Sequence, residues 1–446
     1  MSRSVEETRD AVLDRLDGRC EAEVLVMRGP HELTRFANSF IHQNVGEQFA
    51  QVHLKVAIDG RVAAVQTTST SETSLASLVE DAVAIAAITP PDAGWPGFSE
   101  PEDPVGSSSF DTNVENASPG ERADVVAQFL EAGPELSGAG YCETLAQRVA
   151  YGNTNGQTLS DHWSRAVIDG IHQTPGSAGS GHVASHALAD LDALGAGEIA
   201  AAKARAGIGA VDVKPGEYEV VLEPNAVGTV AMFLAAYGYN GKMVADGQSF
   251  YERDAAQLDD SLSLWDDPGD SRAIGVPFDI EGTPKSRLDL IELGVSRAVS
   301  HNRSSAARAS TRSNGRAIPA PMGTWFGPVA TNLFVAPGTE SLDDLIAGVD
   351  RGLLVTEFNY CRVLDPRTLV VTGLSRNGTF MIENGEITHP VTNLRFTQSF
   401  LTALGPGRLL GIESTTRFSN SEYGAGFTHV PSLRLAGWNF SGNADG

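Results

Sequence analysis

The chain has 446 residues, with 32 Lys+Arg against 56 Asp+Glu and a formal net charge of −24. That length suits two or three domains of ordinary size, and with 41% hydrophobic residues a wholly disordered chain is excluded. Such a surplus of negative charge repels a polyanion over most of the surface, which argues against nonspecific nucleic-acid binding.

The opening MSRSVEETRDAVLDRLDG is charged and reads as a short amphipathic helix over 5–17, without the apolar centre of a signal peptide. The longest apolar stretch, Val230 to Tyr239, falls well short of the roughly 18–20 residues a membrane helix needs. Cys20, Cys142 and Cys361 lie far apart with no CxxC pair, so neither a zinc ribbon nor a disulfide scaffold is expected and a reducing cytoplasm is the expected setting.

A strand is expected at Glu23–Met27. Val52, Leu54, Val56 and Ile58 then alternate with His53, Lys55 and Ala57, the period of a half-buried strand, and Asp59-Gly60 turns it into a return strand at Arg61–Gln66. Leu75, Leu78, Val79, Ala82, Ile85 and Ala86 recur at helical spacing, and the helix has to stop before Pro90-Pro91. Beyond a Pro- and acid-rich connector (Pro90 to Pro104) come a helix near Gly120–Ala132 and strands around Val149–Ala150 and Thr158–Ile168. A Gly/Ser patch at 175–181, read as a turn, precedes an Ala-rich helix ending near Ala206, and GIGAVDVKPG (207–216) has the composition of a domain boundary. One apolar helix (225–238) follows, then short β runs. Asn384-Gly385 marks a hairpin, and Ser341-x-x-Asp344 a helix cap. The expected fold class is α+β in two domains: a mixed α/β N-terminal domain (1–210) and a β-rich C-terminal domain (211–446) of antiparallel sheets.

Few constellations carry chemistry. His182-x-x-x-His186 has helical zinc spacing, but it sits in a strand-like context where residues four apart lie about 13 Å apart, so surface strand histidines are expected. The seven carboxylates from Glu252 to Asp270 lack calcium-loop spacing and read as a solvated acidic loop. GPGRLLG (405–411) lacks dinucleotide-loop spacing, and there is no Walker A lysine and no GxSxG elbow. Cys361 reads as a buried structural thiol on a strand. Between Leu293 and Thr339 there is no Asp or Glu, yet arginines stand at 297, 303, 308, 312 and 316. The plain reading is a surface loop; the functional one is that Arg303, Arg308, Arg312 and Arg316 dock carboxylates of a peptide or partner subunit.

NLFVAPGTESLDDLIAGVDRGLLVTE (332–357), GTFMIENGEITHPV (378–391) and FDIEGTPKSRLDLIELGV (278–295) resemble the TldD/PmbA family, with GEYEVVLEPNAVGTV (216–230) and RFANSFIHQN (35–44) adding to the match. The resemblance implies a cytoplasmic zinc metallopeptidase of two kinds of chain acting on unfolded or modified peptides. TldD-like chains carry HExxxH and a distal cysteine that hold zinc, whereas TldE (PmbA)-like chains lack them. Aligning GYNGK (238–242) with the family's Gly-rich helix end puts Met232, Phe233 and Tyr237 at the H, E and H positions, and SNSEYGAGFTHVPSLRL (419–435) has no cysteine. Thioether and phenyl groups are poor zinc ligands, and phenylalanine takes no proton from water. The resemblance therefore implies a non-catalytic TldE-like subunit with no cofactor of its own. Its expected partners are a zinc-bearing TldD-like chain and a peptide substrate, with neither nucleic acid nor membrane. The alternatives are a stand-alone peptide-modifying hydrolase and a homodimeric peptide-binding protein.

Overall fold

The computed structural model describes residues 3–106, 108–421 and 424–443. Its first half builds an antiparallel sheet from β1 (Glu21–Ala37), β2 (Phe40–Ile58), β3 (Arg61–Thr67), β4 (Ser137–Asn153), β5 (Thr158–Thr174) and β6 (Ser177–Ser185), in the order β3-β2-β1-β4-β5-β6. Helices α1 (Val5–Leu16), α2 (Glu72–Ile88), α3 (Thr112–Glu115), α4 (Pro119–Glu131) and α5 (Ala193–Ala206) accompany it.

Local chemistry fixes the ends of these elements. Asp59 and Gly60 both take positive φ (48° and 73°), as the tight hairpin turn demands, and the register runs unbroken from Ile58↔Arg61 to Val52↔Thr67. Capping boxes open α1 (Ser4 with Glu7) and α4 (Ser118 with Glu121), and α2 ends at Thr89, ahead of the two prolines.

The long strands exceed what the sequence suggests. Val24, Val26, Val52, Leu54 and Val56 face α1 and α2, while Leu25, Met27, Val149 and Tyr151 face the other way onto Phe278. With both faces buried the alternation disappears, and only the one-sided part of β2 is recognisable. The Gly/Ser patch is mostly strand β6 rather than turn. A Cβ on Gly181 would sit 1.8 Å from the Ala196 carbonyl oxygen, so the small residues are there to let α5 lie close on the strand.

The second half opens with β7 (Gly216–Leu222), α6 (Pro224–Phe233) and α7 (Gly241–Ala245). Then come β8 (Leu264–Asp266), β9 (Leu288–Glu292), β10 (Val295–Ser296), α8 (Arg303–Arg308), α9 (Met322–Phe326) and β11 (Leu333–Val335). Next are α10 (Leu342–Ala347), β12 (Arg351–Asp365), β13 (Val370–Glu383), β14 (Glu386–Pro390), β15 (Leu394–Ser399) and α11 (Phe400–Ala403). The chain closes with β16 (Leu409–Ile412), β17 (Arg417–Ser421), β18 (Gly424–Val430) and β19 (Leu433–Asn443). Because β12 pairs with both β7 and β13, the run β7-β19-β15-β13-β12 closes into a ring around Phe358, Phe396, Phe400 and Trp438. The second sheet has the order β10-β9-β8-β11-β18-β17. The sheets are antiparallel apart from two parallel seams, β7–β12 and β11–β18. The fold is α+β, as the sequence predicts. Among the described residues no helix is long and apolar enough to cross a membrane.

Candidate functional site

Strand β7 delivers the chain into α6, with Pro224 at the first helical position, where its missing N–H costs nothing. Gly228 lets the helix approach β17 and β18: a Cβ there would lie 2.3 Å from Ser419 Oγ and 2.9 Å from Thr428 Oγ1. These strands carry the segment where the resemblance puts the distal cysteine, although residues 422–423 lie outside the described residues. After Phe233 the helix widens into a π turn, Leu234–Gly238. The sequence predicts one plain helix over 225–238. Residues five apart on an α-helix point about 140° apart, and a π turn brings such positions, here Met232 and Tyr237, towards one side.

The side chains on this backbone are not those of a metal site. Met232 and Phe233 are buried, and Tyr237 is half-buried. The Phe233 and Tyr237 rings stack with centroids 5.7 Å apart, Phe326 meets Tyr237 edge-on at 5.4 Å, and Phe400 meets Phe233 at 6.0 Å. A zinc ion needs about three protein ligands with lone pairs. This aromatic cluster offers a thioether and one phenol, so the residues present do not fit the ion.

A cavity of about 840 Å³ opens between the first sheet and the segment 317–324. At its floor Lys55 Nζ lies 2.6 Å from Glu23 Oε1 and 3.8 Å from Glu281 Oε1. Tyr151 donates its hydroxyl to Glu23 Oε2 at 2.9 Å, and the Arg303 backbone N–H donates to Glu281 Oε2 at 2.9 Å. Lys55 is deep in the protein yet keeps 24% of its side-chain surface, because the cavity reaches it. Burial alone would lower its pKa, but the Glu23 and Glu281 carboxylates outweigh that and hold it above the ordinary value. Burial raises Glu281. Beneath it, burial with the Glu281 charge pushes Asp279 up to about 7. No motif marks this group, which is drawn from positions more than 200 residues apart, and Lys55 reads in sequence as one of the polar residues alternating along a half-buried strand.

The four arginines are not brought together as a strip. Arg316 is buried, with Nε 3.0 Å from Asp266 Oδ2. Arg303 donates to the carbonyls of Gly97 (3.0 Å) and Phe98 (2.7 Å), clamping the connector. Arg308 pairs with Asp246 at 2.7 Å, and Arg312 is exposed. The acidic run is not uniformly solvated: Asp266 is buried against Arg316, and Asp259 is buried where it accepts the Gly407 N–H at 2.7 Å. His182 lies on strand β6, but its side chain is 2% exposed rather than at the surface, with Nδ1 3.9 Å from Asp169 Oδ2. Cys361 is a buried thiol on β12.

Residues 215–442, just over half of the chain, match the family model described as PmbA/TldA metallopeptidase C-terminal domain. A metalloprotease TldD homolog of Buchnera aphidicola subsp. Acyrthosiphon pisum is 25% identical over 202 residues, which is 44% of this chain and 41% of that relative's length. In fold, TldE from Thermococcus kodakarensis is similar at a TM-score of 0.83 and 18% identity, covering 97% of this chain and 99% of that one. A Thermotoga maritima protein described as a candidate modulator of a DNA gyrase is similar at 0.84 and 18% identity, covering 98% and 100%. At these identities the two structures show likeness of fold.

Proposed function

This chain belongs to the PmbA/TldD metallopeptidase family, and on that footing we propose that it is a zinc-free TldE-like subunit that pairs with a TldD-like catalytic chain in the cytoplasm. Its part is to complete the peptide cleft and to stabilise the zinc-bearing partner during degradation or maturation of unfolded or modified peptides. The observation that carries this reading is the π turn Leu234–Gly238, which turns residues five apart, such as Met232 and Tyr237, towards one side, and the resemblance sets those two at the ligand positions and Phe233 at the position of the base. Exposed apolar groups support the pairing. Trp325 (75% exposed) and Met322 (44%) belong to α9, whose Phe326 covers Tyr237, and Phe40 (57%) projects from the β1–β2 hairpin. Trp325 and Met322 stand three positions apart on one short helix, and exposed apolar groups paired in this way favour a surface that a partner covers.

Metal analysis and peptidase assays on the chain alone, and after co-expression with a TldD-like chain, test the proposal. The chain alone is expected to hold no stoichiometric zinc and to cleave nothing, and the co-purified pair to carry zinc and chelator-sensitive activity. About one zinc per isolated chain with such activity would overturn the reading in favour of a stand-alone hydrolase.

A further inference from the structure

Helix α6 begins without a side-chain cap. Glu223 stands at the N-cap position, where a short polar side chain commonly accepts from the N–H groups of the first turn. Its carboxylate turns away instead, accepting from Lys203 Nζ of α5 and from Thr356 Oγ1 of β12 (2.8 Å). Pro224 has no N–H to satisfy, and the Val227 N–H donates to the Glu223 carbonyl oxygen at 3.0 Å. That leaves the N–H groups of Asn225 and Ala226, which have no hydrogen-bond partner among the described residues, although Ala226 is fully buried. Buried N–H groups in folded proteins are nearly always paired.

Pro224 and Asn225 line a second cavity, of about 70 Å³, where α5 and β6 of the first half meet α6, β12 and β17 of the second. Ile199 and Arg417, which also line it, are exposed, so the space is reached from solvent. Lys203 and Arg417 stand there against the single carboxylate of Glu223, a positive balance within a chain of net −24. Lys203 has one N–H left after Glu223 and Thr356 Oγ1 (3.0 Å), and Arg417 uses one donor, on Glu413 at 3.3 Å. His182 lines the cavity too, with a side chain 2% exposed and no hydrogen bond on either ring nitrogen. The carboxylates behind it are engaged: Asp169 accepts from Asn420 Nδ2 and Glu357 from Ser180 Oγ, each at 2.7 Å. The space is far smaller than the roughly 300–1,000 Å³ of ordinary ligand pockets. It exceeds the roughly 10–15 Å³ that one water needs, which suits one small ion.

We propose that this cavity is a phosphate site, formed by the α6 N-terminus, Lys203, Arg417 and His182. The free N–H groups and the dipole of the helix favour an anion at its start. Lys203 and Arg417 supply charge-assisted donors, and the neutral imidazole of His182 gives its one N–H. Donors from four separate elements converge from different sides, which suits a tetrahedral oxyanion better than a flat carboxylate. A phosphate held there ties α5 and β6 to β17 and to the start of the helix that carries the π turn. The occupant is free phosphate or the phosphoryl group of a small molecule. The inference requires neither zinc, nor a peptide, nor a partner chain.

Isothermal titration calorimetry on the full chain alone tests it, with sodium phosphate titrated against a sodium chloride background of matched ionic strength. Saturable binding of one phosphate per chain is expected, with a rise in the thermal midpoint. Asn225→Asp keeps the side-chain oxygen that accepts the Asn420 N–H at 3.1 Å and places a negative charge where the helix dipole favours it, so the fold is retained. That charge competes with the anion, and binding should weaken about tenfold. Arg417→Gln should weaken it about threefold and His182→Leu about fivefold. Arg417 is at the surface, so its variant keeps the test open if His182→Leu fails to fold. Glycerol 3-phosphate binding as well as phosphate assigns the site to the phosphoryl group of a larger molecule, and its exclusion assigns the site to the free ion; both support the same cavity. Three results would overturn the proposal: no binding at millimolar phosphate, an affinity unchanged by Asn225→Asp and Arg417→Gln, or acetate binding as tightly as phosphate.

Discussion

The backbone N–H of Tyr239 donates to the Leu234 carbonyl oxygen at 2.7 Å, five residues back instead of four. A wide turn of this kind is rare, forms a poorer ladder, and is met mostly at functional sites. Here it lies beside a thioether, a phenyl ring and a phenol, which make poor zinc ligands. Packing holds it: Phe233 lies between Tyr237 and Phe400, and the Asn240 amide donates to Ala236 (2.9 Å), Phe326 (2.8 Å) and Pro328 (2.8 Å). The helix end is thereby tied to Phe326 and Pro328, which follow the cavity-lining segment from Ala317 to Thr324.

Rebuilding the motif as Met232→His, Phe233→Glu and Tyr237→His is therefore expected to fail. Phe233 is fully buried, and a carboxylate in its place loses the aromatic packing and buries an uncompensated charge, a cost of about 3–5 kcal/mol. The urea midpoint should fall steeply, and metal analysis should find no stoichiometric zinc. A stable triple variant with one zinc per chain would show that the backbone lacks only the side chains.

Gly228 gives a second handle on the same helix. Ser419 and Thr428, the groups a new Cβ would meet, are buried and hydrogen-bonded to each other, so neither has room to give way. Gly228→Ala is expected to cost about 1–3 kcal/mol in chemical denaturation, and adding Ser419→Ala to recover part of it. A neutral Gly228→Ala would mean that α6 is not seated closely on β17 and β18.

Features set by neighbours in sequence were legible without the structure. Asp59-Gly60, Pro90-Pro91 and the Ser341–Asp344 cap need only adjacent residues, and each lies where the chain predicts it. Charges were not legible in the same way. Nothing near Asp266 announces that Arg316 will bury it, and nothing near Asp259 announces the Gly407 N–H, so both looked like solvated loop carboxylates. The cavity is assembled from β1, β2, β3, α2, Glu281 and the segment from Ala317 to Thr324, and no window of sequence contains it. The π turn had one available signal, the five-residue separation within HExxxH, which an ordinary helix cannot place on one side.

Arg316 and Arg312 separate burial from mere positive charge. Arg316→Ala leaves the Asp266 carboxylate buried with the Thr331 and Asn332 N–H groups (3.0 and 2.6 Å) and the charge of the buried Lys285, but without its guanidinium partner, and about 3 kcal/mol of stability should be lost. Arg312 is exposed, and Arg312→Ala should shift the denaturation midpoint by no more than about 0.5 kcal/mol equivalent. Equal effects would contradict the burial of Arg316.

His182 supplies the pH dependence. Its ring is buried, stacked at 5.9 Å on Phe418, with no hydrogen-bond partner on either nitrogen. Burial, aided by Arg165, pushes its pKa down to about 3, against about 6.5 in an unfolded chain. Between those values the unfolded state binds the proton and the folded state does not, so stability falls as pH drops below about 6.5. At pH 5 the loss from this group is about 2 kcal/mol, at roughly 1.36 kcal/mol per pH unit. Asp169 works in the opposite sense, because burial raises it to about 6, but it is present in both proteins and cancels in their difference. His182→Leu keeps an apolar group against Phe418 and removes the titration. Urea denaturation at pH 7.5 and pH 5 should show the variant gaining about 2 kcal/mol on the wild type as the pH falls. Parallel pH curves for the two proteins would mean that the imidazole is hydrated in place, through the cavity of about 70 Å³ that it lines with Ser180 and Asn225.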